Sequence, residues 1–195
     1  MRAHALILLP LAALALQAQE PTRYGIQGSL LFPTSDSTKE FTDKSMGFSI
    51  GAQSTWDLQK GQRLRGRVDY TVFSEKSING GFGFDQRSIS GYTQSGKLTG
   101  ISGGVDYLYF FEGKPLGWYL AGGLTLNAWK AEATYSGKRT GSESRSKTTP
   151  GIAGGVGWQF NKNLGLEARG TWSHWEYNRS DNNATFFGVE LNYRF

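Results

Sequence analysis

Seven charged residues sit where an extended chain would carry them: Arg67, Asp69, Asp106, Glu167, Arg169, Glu190 and Arg194. Each is bracketed by small, apolar or aromatic neighbours, as in Val68-Asp69-Tyr70 and Leu166-Glu167-Ala168. A spacing of two puts Arg67 with Asp69, and Glu167 with Arg169, on one face of a strand. If that face is enclosed the charges must pair, because an unpaired buried charge is costly. The chemistry these residues suit is mutual neutralisation rather than turnover.

The one constellation that could suggest catalysis is Ser173-His174-Trp175-Glu176. A nucleophile and its base must reach each other on one face. Ser173 and His174 are adjacent, so in a strand they point to opposite faces. Besides His4 the chain has no other histidine, and it has no cysteine, so no metal-ligand cluster is expected. The Gly-Gly pairs are not followed by a helical pattern, so they do not read as phosphate loops. The residues point to no enzyme activity and no cofactor.

Positioning such charges requires strands. Period-2 alternation marks eight of them: about residues 24–30, 46–56, 64–72, 102–111, 118–128, 152–160, 164–172 and 185–195. No segment has a convincing helical period. The connections alternate in length: 33–44, 75–96, 132–149 and 177–184 are long and polar, whereas 57–62, 112–117 and 161–163 are short. Eight strands with alternating connections describe an antiparallel up-and-down β-barrel with short turns at one end and long loops at the other. Three glycine pairs, Gly103-Gly104, Gly122-Gly123 and Gly154-Gly155, fall in mid-strand, where a small barrel bends or needs small side chains.

Alternation alone leaves open whether the apolar face points in or out. Three features favour apolar-out. The polar face carries the mid-strand charges. Aromatic residues of the apolar face, Trp56, Phe111, Trp118, Trp158, Phe160, Tyr193 and Phe195, gather at the short-turn ends as an interfacial girdle would. Trp172 and Phe187, with Tyr70, supply a second girdle near the long loops. The interior of an eight-stranded barrel is just wide enough for side chains, so the seven charges should form a salt-bridged plug. Folding the last hairpin about Ser180 and Asp181 would set Glu167 opposite Arg194 and Arg169 diagonal to Glu190, and pairing the third and fourth strands would bring Arg67 near Asp106.

The start of the chain reads as a secretory leader. Arg2 precedes an apolar run, and small residues follow, giving a signal peptide at residues 1–18 and a barrel domain at 19–195. There is no second apolar run long enough for a membrane helix. The absence of cysteine means an exported chain is held by something other than disulfides, and a closed barrel with every backbone group paired would serve. The formal net charge of +5 is spread among carboxylates rather than clustered, which argues against nucleic acid. Two readings of it stay open: a solvated surface, and attraction to anionic lipopolysaccharide.

The final residues, with Phe187, Val189, Leu191, Tyr193 and Phe195 on one face, resemble the closing strand of bacterial outer-membrane β-barrels, which typically end in phenylalanine. The chain as a whole resembles the opacity-protein-like family of small eight-stranded barrels. The resemblance implies an outer-membrane location, insertion by the barrel-assembly machinery, and outer-membrane lipid as surroundings. Lipid A deacylases of this membrane use a histidine and a serine two positions apart; here the residue two beyond His174 is Glu176, so that motif is broken. The expected function is a non-enzymatic anchor for external loops 33–44, 75–96 and 132–149, acting in surface interaction or envelope integrity. A narrow pore for ions or small solutes, and a lipid A-modifying enzyme, are the alternatives.

Overall fold

A computed structural model describes residues 23–36, 39, 46–73, 76–82, 88–137, 141–177 and 180–195, with side chains at most of these. The expected leader, and most of loop 33–44, lie outside the described residues. The strands are β1 (Arg23–Pro33), β2 (Gly47–Gln59), β3 (Gln62–Phe73), β4 (Lys76–Phe82), β5 (Ser88–Phe110), β6 (Gly117–Gly137), β7 (Gly141–Gln159), β8 (Leu164–Tyr177) and β9 (Ser180–Arg194). They form one antiparallel sheet in the order β3-β2-β1-β9-β8-β7-β6-β5-β4, and β3 also pairs with β5.

Among the described residues nine strands therefore make eight staves. β3 pairs with β5 from Gln62↔Tyr109 to Val72↔Thr99, and β4 takes over from Lys76↔Gly96. The β3–β5 ladder closes the barrel on one side of β2. On the other, β1 joins β9 from Gly25↔Arg194 to Pro33↔Phe186. Closure leaves the membrane-level staves without an open edge, the condition for crossing lipid.

The short turns are built by local chemistry. Gly61 and Gly113 adopt positive φ (73° and 66°), which glycine does without a steric penalty. Their turns touch: the Phe110 N–H donates to Gly61 O at 2.7 Å. In the third turn, Asn161 Oδ1 accepts from the backbone N–H of Asn163 (2.8 Å) and Leu164 (2.9 Å), an Asx turn.

At the opposite end the sequence reading needs correction. The described residues of 75–96, 132–149 and 177–184 lie in strands rather than in irregular loops. β5, β6 and β7 run 23, 21 and 19 residues, against the ~9–11 that span a bilayer. Outside lipid neither strand face need be apolar, so the alternation fades while the backbone pairing continues. β6 and β7 stay paired to Tyr135↔Gly141, and β8 and β9 to Tyr177↔Ser180. β7 and β8 part at Gly151↔Ser173. The next residue outward on β7 is Pro150, which has no N–H to extend the ladder. The result is a four-stranded wall, β4 to β7, standing clear of the rim beside the β8–β9 hairpin.

Exposure is inverted relative to a water-soluble protein. Ile26, Phe48, Ile50, Val68, Leu124, Leu126, Ile152 and Leu191 are each about half exposed on the outer face, while arginines and carboxylates are buried inside. The glycine pairs divide between the faces. An added Cβ would meet nothing within 4 Å at the outward Gly122, whereas at the inward Gly123 it would strike the Val105 carbonyl oxygen and the Asp106 carboxylate. Inward glycines make room for neighbours: the Trp129 ring lies over Gly100 and the Tyr119 ring over Gly157. Gly123→Ala should therefore cost about 1–3 kcal/mol. Gly122→Ala should stabilise by up to about 0.5–1 kcal/mol through the strand preference for alanine over glycine. Urea unfolding of the refolded variants, followed by the gel-mobility shift on boiling, checks both.

Candidate functional site

Inside the barrel the side chains form three layers. In the middle one, Arg65 and Arg67 on β3, Asp106 on β5 and Glu167 and Arg169 on β8 meet Glu190 on β9. Period 2 on each strand aims all of them at the axis. Arg65 is the centre. Its Nε and Nη2 donate to Asp106 Oδ2 (3.0 and 2.8 Å), and Nη1 and Nη2 donate to the two oxygens of Glu167 (2.8 and 3.0 Å). Arg67 donates through Nε to Asp69 Oδ2 (2.8 Å) and through Nη2 to Glu190 Oε2 (2.5 Å). Arg169 donates to both Asp106 oxygens (2.7 and 3.1 Å) and to Glu167 Oε1 (3.2 Å). Neutral donors complete the shell: Tyr119 OH to Glu167 Oε2 (2.8 Å), Ser29 Oγ to Glu190 Oε2 (3.2 Å) and Gln27 Nε2 to Asp69 Oδ1 (2.5 Å).

Of the residues singled out from sequence, the structure brings together Arg67, Asp69, Asp106, Glu167, Arg169 and Glu190. Arg194 is elsewhere. Its Nη2 donates to Gln159 Oε1, and no ion pair joins it among the described residues. Glu167 faces Glu190, not Arg194, because the last hairpin turns between Tyr177 and Ser180 rather than about 180 and 181. Arg169 stands diagonal to Glu190 but spends its hydrogen bonds on Asp106 and Glu167. Arg67 does come near Asp106, at 3.9 Å and within ion-pair distance, while Arg65 occupies the directly opposing position and makes the shorter contacts. Arg65 and Tyr119 are the omissions from the sequence-derived network. Arg65 was legible, having the parity of Arg67 in Leu64-Arg65-Gly66-Arg67.

The other two layers correct the expectation that apolar side chains all point outward. Toward the short turns, Leu108, Phe110, Tyr119 and Ala121 are buried inside, with Arg63 paired to Asp57 and its guanidinium 5.6 Å above the Phe110 ring. Toward the wall, Phe73, Leu98, Trp129, Ala131, Ala184 and Phe186 form an interior aromatic cap. Phe186 stacks 5.1 Å from Phe73 and 5.3 Å from Trp129. These residues share the parity of the charged positions, which is the signal that sequence reading passed over.

The expected girdle residues lie on the outer surface. Phe111, Trp118, Phe160, Trp172, Phe187, Tyr193 and Phe195 are exposed, while Trp56 and Trp158 are half-buried against neighbours. Trp118 faces Trp158 across the ladder, rings edge-on at 4.9 Å. His174 pairs with Asn183 in the β8–β9 ladder; its side chain lies outside the described set. Among the described residues no group of histidine, cysteine or carboxylate side chains is placed to hold a metal ion. Each carboxylate of the middle layer accepts from at least one arginine, so none of the four is left unpaired.

Comparison with known proteins agrees with this geometry. The barrel resembles the attachment invasion locus protein of Yersinia pestis (TM-score 0.55, 16% identity, covering 89% of this chain and 97% of that one). It resembles Neisserial surface protein A to the same degree (TM-score 0.55, 16% identity, 89% and 97%). A major outer membrane protein from Thermus thermophilus is likewise similar (TM-score 0.54, 14% identity, 90% and 100%). At these identities the likeness concerns the fold. No curated protein matches the chain by sequence. The family described as outer membrane protein beta-barrel domain, however, matches residues 3–195. That match spans nearly the whole sequence, and the chain therefore belongs to this family of bacterial outer-membrane β-barrels.

Proposed function

We propose that the barrel is a non-enzymatic surface anchor whose working part is the projecting wall of β4 to β7. The observation that carries this is the long wall standing on a filled interior. β5 and β6 continue for about as many residues beyond the bilayer as within it, while charged and aromatic layers occupy the lumen. A filled lumen argues against a pore, and carboxylates that are all paired with arginine argue against a reaction centre. The aromatic residues at the two ends of the outer face serve as interfacial girdles in outer-membrane lipid. Leu191, Tyr193 and Phe195 on the last strand are the residues we assign to recognition by the barrel-insertion machinery.

The partner we favour for the wall is a polyanion, lipopolysaccharide foremost. Lys97 on β5 and Lys130 on β6 are exposed on the wall, and farther along the sequence residues 138, 139, 145 and 147 are lysine or arginine. A structure of the attachment invasion locus protein contains the heparin analogue sucrose octasulfate, and a basic wall here would suit the same ligand chemistry.

Two measurements test the reading. Refolded protein in planar bilayers should give no sustained conductance steps; regular steps would replace the anchor with a pore. A variant whose β6–β7 hairpin is cut back, with residues 131–145 replaced by a two-residue turn between the paired Lys130 and Ser146, should keep its heat-dependent gel shift and lose retention on immobilised heparin. Full retention would remove the wall from the function. His174→Ala should leave lipid A composition unchanged.

A further inference from the structure

Between the charged layer and the aromatic cap the interior holds a partly open chamber with about 60 Å³ accessible to water. Hydroxyl side chains such as Ser49, Thr125 and Thr171 line it, the charged layer borders it on one side, and Trp129 and Phe186 border it on the other. Several lining groups are satisfied within the protein. Thr71 Oγ1 donates to Ser49 Oγ at 3.2 Å, and Asn127 Nδ2 donates to Thr125 Oγ1 at 3.1 Å. The indole Nε1 of Trp129 is not: it is fully buried and has no partner among the described residues. Thr149 Oγ1 is in the same condition, on the residue that faces Asn127 across the β6–β7 ladder.

A buried donor is almost always hydrogen-bonded. Apolar cavities of this size stay dry, but one with polar walls holds water, and each liquid water takes roughly 30 Å³. Room for water, and a tryptophan whose buried indole N–H has no partner among the described residues, meet in the lining of one chamber. An ion fits less well. The charged groups that border the chamber, Arg67, Asp69, Arg169 and Glu190, are already committed to the charged network. What remains to be met is neutral.

We propose that this chamber is a resident-water site, with the Trp129 indole N–H as a donor to the bound water and the surrounding hydroxyls as its further partners. The water links the aromatic cap to the charged layer. Trp129 lies on β6 and Phe186 on β9, at the bases of the wall and of the β8–β9 hairpin. The site therefore ties the parts that project into water to the part held in lipid. It stands whether or not the wall binds a polyanion.

The test is solution NMR of the refolded full barrel in detergent micelles, with tryptophan 15N-labelled and Trp129→Phe used to assign the indole signal. The Trp129 N–H should show a cross-peak at the water frequency with the NOE-to-ROE ratio of a long-lived bound water. Thr171→Val, which removes a wall hydroxyl at nearly constant shape, should weaken that peak several-fold in a barrel that still shifts on boiling. No cross-peak would mean a dry chamber and overturn the proposal. A signal exchanging at the bulk-water rate, or a cross-peak to a detergent or buffer molecule instead, would overturn it equally. The wild-type spectrum decides even if Trp129→Phe fails to fold, since the other tryptophans can be substituted in turn to assign the peak.

Discussion

Arg65→Met should destabilise the barrel by about 3–5 kcal/mol, the range for removing one partner of a buried ion pair. Arg65 is 2% exposed and its two main partners, Asp106 and Glu167, are fully buried. In the middle layer three arginines, 65, 67 and 169, face four carboxylates, 69, 106, 167 and 190. Methionine is close to arginine in volume, so the substitution isolates charge from packing. It leaves two arginines against four carboxylates. Adding Glu167→Gln returns the excess to its wild-type value of one, and the amide oxygen can still accept from Tyr119. The double variant should therefore recover most of the loss. Urea titration followed by the heat-dependent gel shift reads both. A single variant as stable as wild type would show that the layer contributes by volume alone, and a double variant no better than the single would show that charge balance is not what the loss reports.

The face on which each charge lies was legible in the sequence, and its partner was not. Strand parity is unchanged when a hairpin turn moves by a whole residue pair, because partners then shift by an even number. Placing the last turn two residues late kept Glu167, Glu190 and Arg194 on the inner face, yet moved the residue opposite Glu167 from Glu190 to Arg194. The polar stretch 178–184, Asn-Arg-Ser-Asp-Asn-Asn-Ala, offers several comparable turn sites, so nothing local fixed the register. The wall was missed for a related reason. Alternation reports that one strand face meets lipid; where both faces meet water, the ladder continues without a pattern. The aromatic cap was hidden because Phe73, Trp129 and Phe186 are apolar residues on the polar parity, and a search for apolar-out strands treats them as noise. The closed barrel, its short turns and its inward charges survived because each rests on parity inside the lipid-facing zone, where parity carries information.

β6 offers the sharpest test of where that zone ends. Its outward residues run Trp118, Leu120, Gly122, Leu124, Leu126, Ala128, Lys130, Glu132 and Thr134. The series changes from apolar to charged at Lys130, whose Nζ lies 2.5 Å from Glu132 Oε1 with both side chains well exposed. Residues 118–128 match the ~9–11 that cross a bilayer, so Leu124, 48% exposed, sits close to the midplane. Leu124→Arg should cost about 2–4 kcal/mol, as expected for arginine on the lipid face at that depth. Thr134→Arg, ten residues along on the same face, should be near neutral because its guanidinium stands in water. Both substitutions add the same side chain to the same strand face, so β-propensity and net charge cancel in the comparison. Only depth differs. Equal costs in lipid-vesicle refolding would mean that the hydrocarbon does not end between Ala128 and Lys130, and the wall would then begin farther out on the strand than its first lysine.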